Sequence, residues 1–178
     1  MQNEKEIVEH CCKGRREAQK ALYDHFAPKM LALCFRYCDS LEEAEDVLQE
    51  GFIKVFRYIG TFQGKSPIES WIRKIMVNTA LNYLKKIADY RFHDDLDELP
   101  ESLQPESGTV NTLEVKEMIE MIRTLPPGYR TVFNLFEIEG FNHKEIASML
   151  GVSVNTSKSQ LLKAKRMLQD KLRKIEKT

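Results

Sequence analysis

The chain has 178 residues, with 27 Lys plus Arg against 27 Asp plus Glu, 30% charged and 42% hydrophobic residues, and four cysteines. That length suits one ordinary domain or two small ones, and its longest apolar run, Met30 to Phe35, is far short of the roughly 18 residues of a membrane span. The opening Met1-Gln2-Asn3-Glu4-Lys5-Glu6 lacks the apolar core of a secretion signal, so a cytoplasmic protein without membrane insertion and without disulfides is expected.

Apolar residues recur at three- and four-residue spacing and no β-branched alternating run interrupts them, so the predicted fold is all-α. A helix or two should occupy residues 4–38, with Pro28 giving a kink or a fresh start. Ser40 and Glu43 then form a capping box for a helix that buries Ala44, Val47, Leu48, Phe52, Val55, Phe56 and Ile59 and stops at Gly60. After the loop Thr61 to Lys65, Ser66 should cap the next helix, with Pro67 in its first turn and Glu69 three after the cap. Its buried stripe is Ile68, Trp71, Ile72, Ile75, Met76, Thr79, Tyr83 and Ile87.

The charges separate along the chain. Residues 1–90 carry a net +1, residues 91–112 a net −5 and residues 113–178 a net +4. The middle segment sets Arg91 against six carboxylates and includes Pro100 and Pro105 without any periodicity. It reads as a flexible acidic linker between two small helical domains, 1–90 and 113–178. Beyond it, helices are predicted over about Leu113–Leu125 and about Tyr129–Glu139, stopped by Pro126-Pro127-Gly128 and by Gly140. Asn142 with Glu145 makes a second capping box, and Phe141 with Ile146 a hydrophobic staple, for a short helix to Leu150. Gly151 turns the chain and Ser153 caps a final long helix, which makes the pair a helix-turn-helix.

Three polar faces are candidates for function. On the final helix, Val154, Ser157, Leu161, Ala164, Leu168 and Leu172 form the expected buried seam, which leaves Asn155, Thr156, Ser159, Gln160 and Lys163 outside. Short polar groups near the start of a second helix suit base edges in a major groove, with Lys158, Lys165 and Arg166 placed for phosphates. Residues 153–178 carry a net +6. On the Ser66-capped helix, Lys74, Asn78, Asn82 and Lys86 follow at four-residue spacing, flanked by Arg73 and Lys85. The loop before it adds Phe62, which could stack on an unpaired base, with Gln63, Lys65 and Ser66 beside it. The third face, Asp46, Gln49, Glu50 and Ile53, would repel phosphate but suits a basic protein groove.

Catalytic patterns are poor. His10, His25, His93 and His143 are scattered, and Cys11, Cys12, Cys34 and Cys38 lack the spacing of a zinc site. There is no phosphate-binding glycine loop. No enzyme activity, cofactor or metal is expected.

The stretches Ala44 to Phe56, Phe62-Gln63-Gly64 and Trp71 to Asn78 resemble the second conserved region of the extracytoplasmic-function (ECF) group of bacterial sigma-70 factors. Leu125 to Arg130 and Glu145 to Ser153 resemble its fourth. The resemblance implies a sigma factor that binds core RNA polymerase, directs it to promoters and helps melt DNA. Asp46, Gln49 and Glu50 then match the segment that grips the clamp helices of the largest polymerase subunit. The loop at 62–66 and the stripe from Arg73 to Lys86 match the parts that melt and read the minus-ten element as single strand. Asn155, Thr156, Lys158, Ser159, Gln160, Lys163 and Arg166 match the recognition helix for the minus-thirty-five element. The family's usual arginine corresponds to Gln160 and its usual aliphatic core residue to Ser157. A free factor of this kind is expected to need restraint, for which an anti-sigma factor is the candidate partner. The competing reading is a stand-alone helix-turn-helix regulator that binds duplex operators without polymerase.

Overall fold

The computed structural model describes residues 4–93 and 113–175. Most of the expected acidic linker, residues 94–112, lies outside the described residues. These fall into two compact units, one within Met1–Ser107 and one within Gly108–Thr178, and all their regular elements are helices.

The first unit opens with α1 (Glu4–Cys12) and α2 (Arg16–Phe35). The break expected at Pro28 falls instead at Gly14. Its φ of +69° lets the amides of Gly14 and Arg15 reach back to the carbonyls of Cys11 and His10 at 3.0 and 3.1 Å and close α1. Pro28 lies inside α2 on its exposed side, where the carbonyl it leaves without a helical partner can turn to water. α3 (Leu41–Tyr58) begins at the predicted capping box. Ser40 Oγ accepts from the Glu43 amide at 3.1 Å, and Glu43 Oε2 accepts from the Ser40 amide at 3.2 Å. Gly60 does not end the helix by a left-handed turn, because a 3-10 turn over Ile59–Thr61 takes the chain off α3.

α4 (Ile68–His93) starts one residue later than Ser66 capping implies: the Pro67 carbonyl accepts from the amides of Ser70 and Trp71. Of the predicted stripe Ile68, Ile72, Met76 and Thr79 are buried and Trp71, Ile75, Tyr83 and Ile87 half-buried, while Val77, Ala80 and Leu81 are buried as well, so α4 has apolar neighbours on a wide arc. α3 and α4 cross at close range at Gly51, where a Cβ would stand 2.2 Å from Met76 Sδ. Only the missing side chain allows that crossing. Lys54 of α3 adds a polar tie, reaching Glu50 Oε1 at 2.7 Å and the buried Thr79 hydroxyl of α4 at 3.3 Å.

The second unit comprises α5 (Leu113–Arg123), α6 (Pro127–Phe133), α7 (His143–Leu150) and α8 (Val154–Ile175). The helix expected to run straight to Glu139 widens after Phe133 into a π turn over Asn134–Ile138, with the Glu139 amide donating to the Asn134 carbonyl at 2.9 Å. α7 carries its predicted capping box, Asn142 with Glu145, and ends at Gly151 with φ +69°. Leu125, Ala164 and Leu168 form a core cluster with Met121, Tyr129, Phe133 and Met167 packed against it. That cluster stops at Leu168, which is why Leu172, expected in the buried seam, is 48% exposed.

Candidate nucleic-acid and polymerase interfaces

The α3 face is set by the helix period: with Ala44, Val47, Leu48 and Phe52 buried, Asp46, Gln49 and Ile53 stand outside. Ile53 is 59% exposed, a large aliphatic left in water beside two polar neighbours. Glu50 is half-buried, and its hydrogen bond to the Lys54 ammonium holds its carboxyl below the usual carboxylate range against the opposing effect of burial. Glu50 thus brings to this face a carboxylate that stays ionised.

On α4, Lys74, Asn78, Asn82, Lys85 and Lys86 are exposed and Arg73 is half-buried. In the preceding loop Gln63, Lys65 and Ser66 are exposed, while Phe62 is half-buried and leans on Trp71 with ring centroids 5.6 Å apart. Phe62 is therefore partly covered by Trp71 rather than fully free in solvent. The Tyr83 phenol sits between the helices, held protonated by burial and by its bond to the Glu43 carboxylate. Glu43 thus serves the α3 cap and the α4 contact at once.

On α8 the predicted outer residues divide. Asn155, Lys158, Ser159, Lys163, Lys165 and Arg166 are exposed. Thr156 is half-buried and belongs to the cap: its amide donates to Ser153 Oγ at 2.9 Å and the two hydroxyls lie 2.8 Å apart. Gln160 is half-buried against the first turn of α6, where a Cβ at Gly128 would stand 3.4 Å from its amide nitrogen. Lys163 lies over the Tyr129 ring, 5.8 Å from its centroid, and Lys165 is paired with Glu137 Oε1 at 2.7 Å. Ser157 is fully buried and meets His143 Nδ1 at 2.9 Å, while the His143 ring stacks on Phe136 at 4.4 Å. A hydrogen bond between Ser157 and His143 therefore joins α7 to α8 at this position.

Residues 22–89 match the model for sigma-70 region 2, and residues 116–168 the model for sigma-70 region 4. The ECF RNA polymerase sigma-E factor of Haemophilus influenzae is 30% identical over 182 residues, covering 95% of this chain and 95% of its own. The RNA polymerase sigma-H factor of Pseudomonas aeruginosa is 28% identical over 185 residues, covering 98% and 96%. The fold is similar to that of the sigma factor RpoE crystallised with the anti-sigma factor NepR from Bartonella quintana, with a TM-score of 0.60 at 21% identity, covering 86% of this chain and 96% of that one. This chain belongs to the ECF sigma factors of the sigma-70 family.

As an ECF sigma factor it binds core RNA polymerase and promoter DNA and directs transcription initiation, which disfavours the stand-alone regulator. No described helix is long and apolar enough to cross a membrane. Sequence reasoning missed several side chains that shape this sigma factor's faces. Lys54 and Glu137 work through partners in other elements or turns, and His143 works through a residue 14 positions away. Leu162 is different: it stands 52% exposed beside Leu161 at 7%, and its place opposite the seam was legible from spacing alone.

Proposed function

We propose that the three faces act in sequence. Asp46, Gln49, Glu50 and Ile53 dock on the clamp helices of the largest polymerase subunit, where ionised carboxylates and one aliphatic suit a basic groove with an apolar floor. Asn155, Lys158, Ser159, Gln160, Lys163, Lys165 and Arg166, with Thr156 in the cap, set register on the duplex minus-thirty-five element. Phe62, Gln63, Lys65, Ser66, Arg73, Lys74, Asn78, Asn82, Lys85 and Lys86 then capture the unpaired minus-ten strand, offsetting an unpairing cost of roughly a few kcal/mol. The polymerase supplies all the chemistry, so the chain needs no catalytic residue, metal or cofactor and works in the cytoplasm with polymerase and DNA. In this reading residues 1–90 and 113–178 are the two working domains and 91–112 the linker. An anti-sigma factor, as in the Bartonella quintana complex, restrains the free protein.

The observation that carries this reading is on the first unit. One 26-residue helix exposes Lys74, Asn78, Asn82 and Lys86 in a single row, and the same unit exposes the acidic α3 face. A stand-alone operator binder would use neither. The test adds the protein to sigma-free core polymerase with a genomic fragment pool and scores promoter-specific transcripts. Transcripts are expected, and Asp46→Ala with Gln49→Ala should reduce them about a hundredfold, as for lost partners of a desolvated interface pair, with duplex binding unchanged. No transcript from any fragment would favour the duplex-only regulator.

A further inference from the structure

The outermost line of α8 runs Asn155, Ser159, Leu162, Arg166, at spacings of four, three and four, and all four are exposed. It lies directly opposite the buried Ser157, Leu161, Ala164 and Leu168. Gln160, Lys163 and Lys165 flank that line, and each is engaged with Gly128, Tyr129 or Glu137. The centre of the reading edge is therefore a leucine. Around it stand only polar and basic side chains, Lys158, Ser159 and Arg166 among them, so a hydrophobic protein partner finds no apolar patch to extend. The basic neighbours favour a polyanion. Within a major groove, the one apolar feature on the base edges is the C5-methyl of thymine.

Resting on the functional reading above, we infer that Leu162 is a specificity-determining residue that reads a thymine methyl group in the minus-thirty-five element. Asn155 and Ser159 on one side and Arg166 on the other give hydrogen bonds to neighbouring base edges and phosphates, and Leu162 fills the space between them. Asn155 to Arg166 spans about 17 Å of helix, enough to pass along roughly five base pairs. Leu162 thereby requires thymine at one position inside that run.

The test uses the holoenzyme on a promoter recovered from the genomic pool, resynthesised with each upstream thymine replaced in turn by 2′-deoxyuridine, which removes only the methyl. Wild type should lose about fourfold in promoter binding at one position, the effect of one buried methyl group. Leu162→Ala, at an exposed site with no fold to disturb, should bind more weakly than wild type and be indifferent to that replacement. If wild type tolerates every replacement, or Leu162→Ala keeps the same sensitivity, the assignment to Leu162 is wrong while the functional reading stands. If scrambling the whole upstream element changes nothing, both fall together.

Discussion

The two helices proposed to carry the DNA faces present their side chains in opposite ways. α4 packs its apolar arc against α3 and α2 and holds Lys74, Asn78, Asn82 and Lys86 out in solvent along one face of a long helix. On α8 four of the polar side chains are themselves held: Thr156 in the Ser153 cap, Gln160 against Gly128, Lys163 over Tyr129, Lys165 by Glu137. A duplex groove has a fixed shape, so a reader whose rotamers are set beforehand loses less entropy on docking. Unstacked bases have no fixed positions, and side chains free to follow them suit that task. The first unit thus presents its stripe from a packed helix, and the second holds part of its polar face through side-chain contacts.

The sharpest way to break this contrast is to attack the backbone of the first unit. Gly51→Val places atoms where Met76 already stands, since even a Cβ would come within 2.2 Å of its sulfur. Overpacking of this kind should destabilise the first unit by about 1–3 kcal/mol. Trp71 is the only tryptophan and lies in that unit, so its fluorescence follows the transition. Gly51→Val combined with Met76→Ala should recover part of the loss. Equal destabilisation of the single and double variants would mean that the α3–α4 crossing does not depend on this contact.

Alkaline pH gives a milder separation. Burial pushes the Cys34 thiol up from 9.0 to about 12. A raised folded-state pKa means that the stabilising difference is complete below pH 9 and is lost as pH rises toward 12. Trp71-monitored unfolding should thus weaken between pH 9 and 11, and Cys34→Ala should flatten that slope even though the variant starts less stable. A slope unchanged in Cys34→Ala would assign the alkaline loss to other groups.

What the sequence made legible was local. The capping boxes at Ser40 and Asn142 need only residues three apart, and both form as read. The final helix's seam holds through Leu168 because its period is a property of that helix alone, and fails at Leu172 because the partner surface ends. The α1–α2 break went unread because Pro28, a strong breaker in isolation, sits where the helix can do without its amide, while Gly14 offers the left-handed turn. Contacts between elements left no trace in spacing. Gly51 with Met76, Ser157 with His143 and Glu137 with Lys165 each depend on which faces meet, and the last two also on the π turn that carries Phe136 and Glu137.

That π turn supplies the finest test of the contrast. Glu137 and Lys165 are both partly exposed, so Glu137→Gln should change stability by no more than about 0.5 kcal/mol. Its effect belongs to binding instead. In the unaltered chain Lys165 is already paired with Glu137 and neutralises a phosphate poorly. With Gln in its place, Lys165 can follow a phosphate, release one more condensed counterion, and steepen the slope of log K against log salt by about 0.9. Duplex affinity should rise uniformly across sequences, so that discrimination between promoter and random DNA falls or stays level. A matching Glu69→Gln change, which removes the partner of Lys29 rather than of a stripe residue, should leave the salt slope of single-strand capture unchanged. If Glu137→Gln leaves the duplex slope unchanged as well, Lys165 is not a phosphate ligand, and the fixed placement of α8 side chains would extend only to Thr156, Gln160 and Lys163.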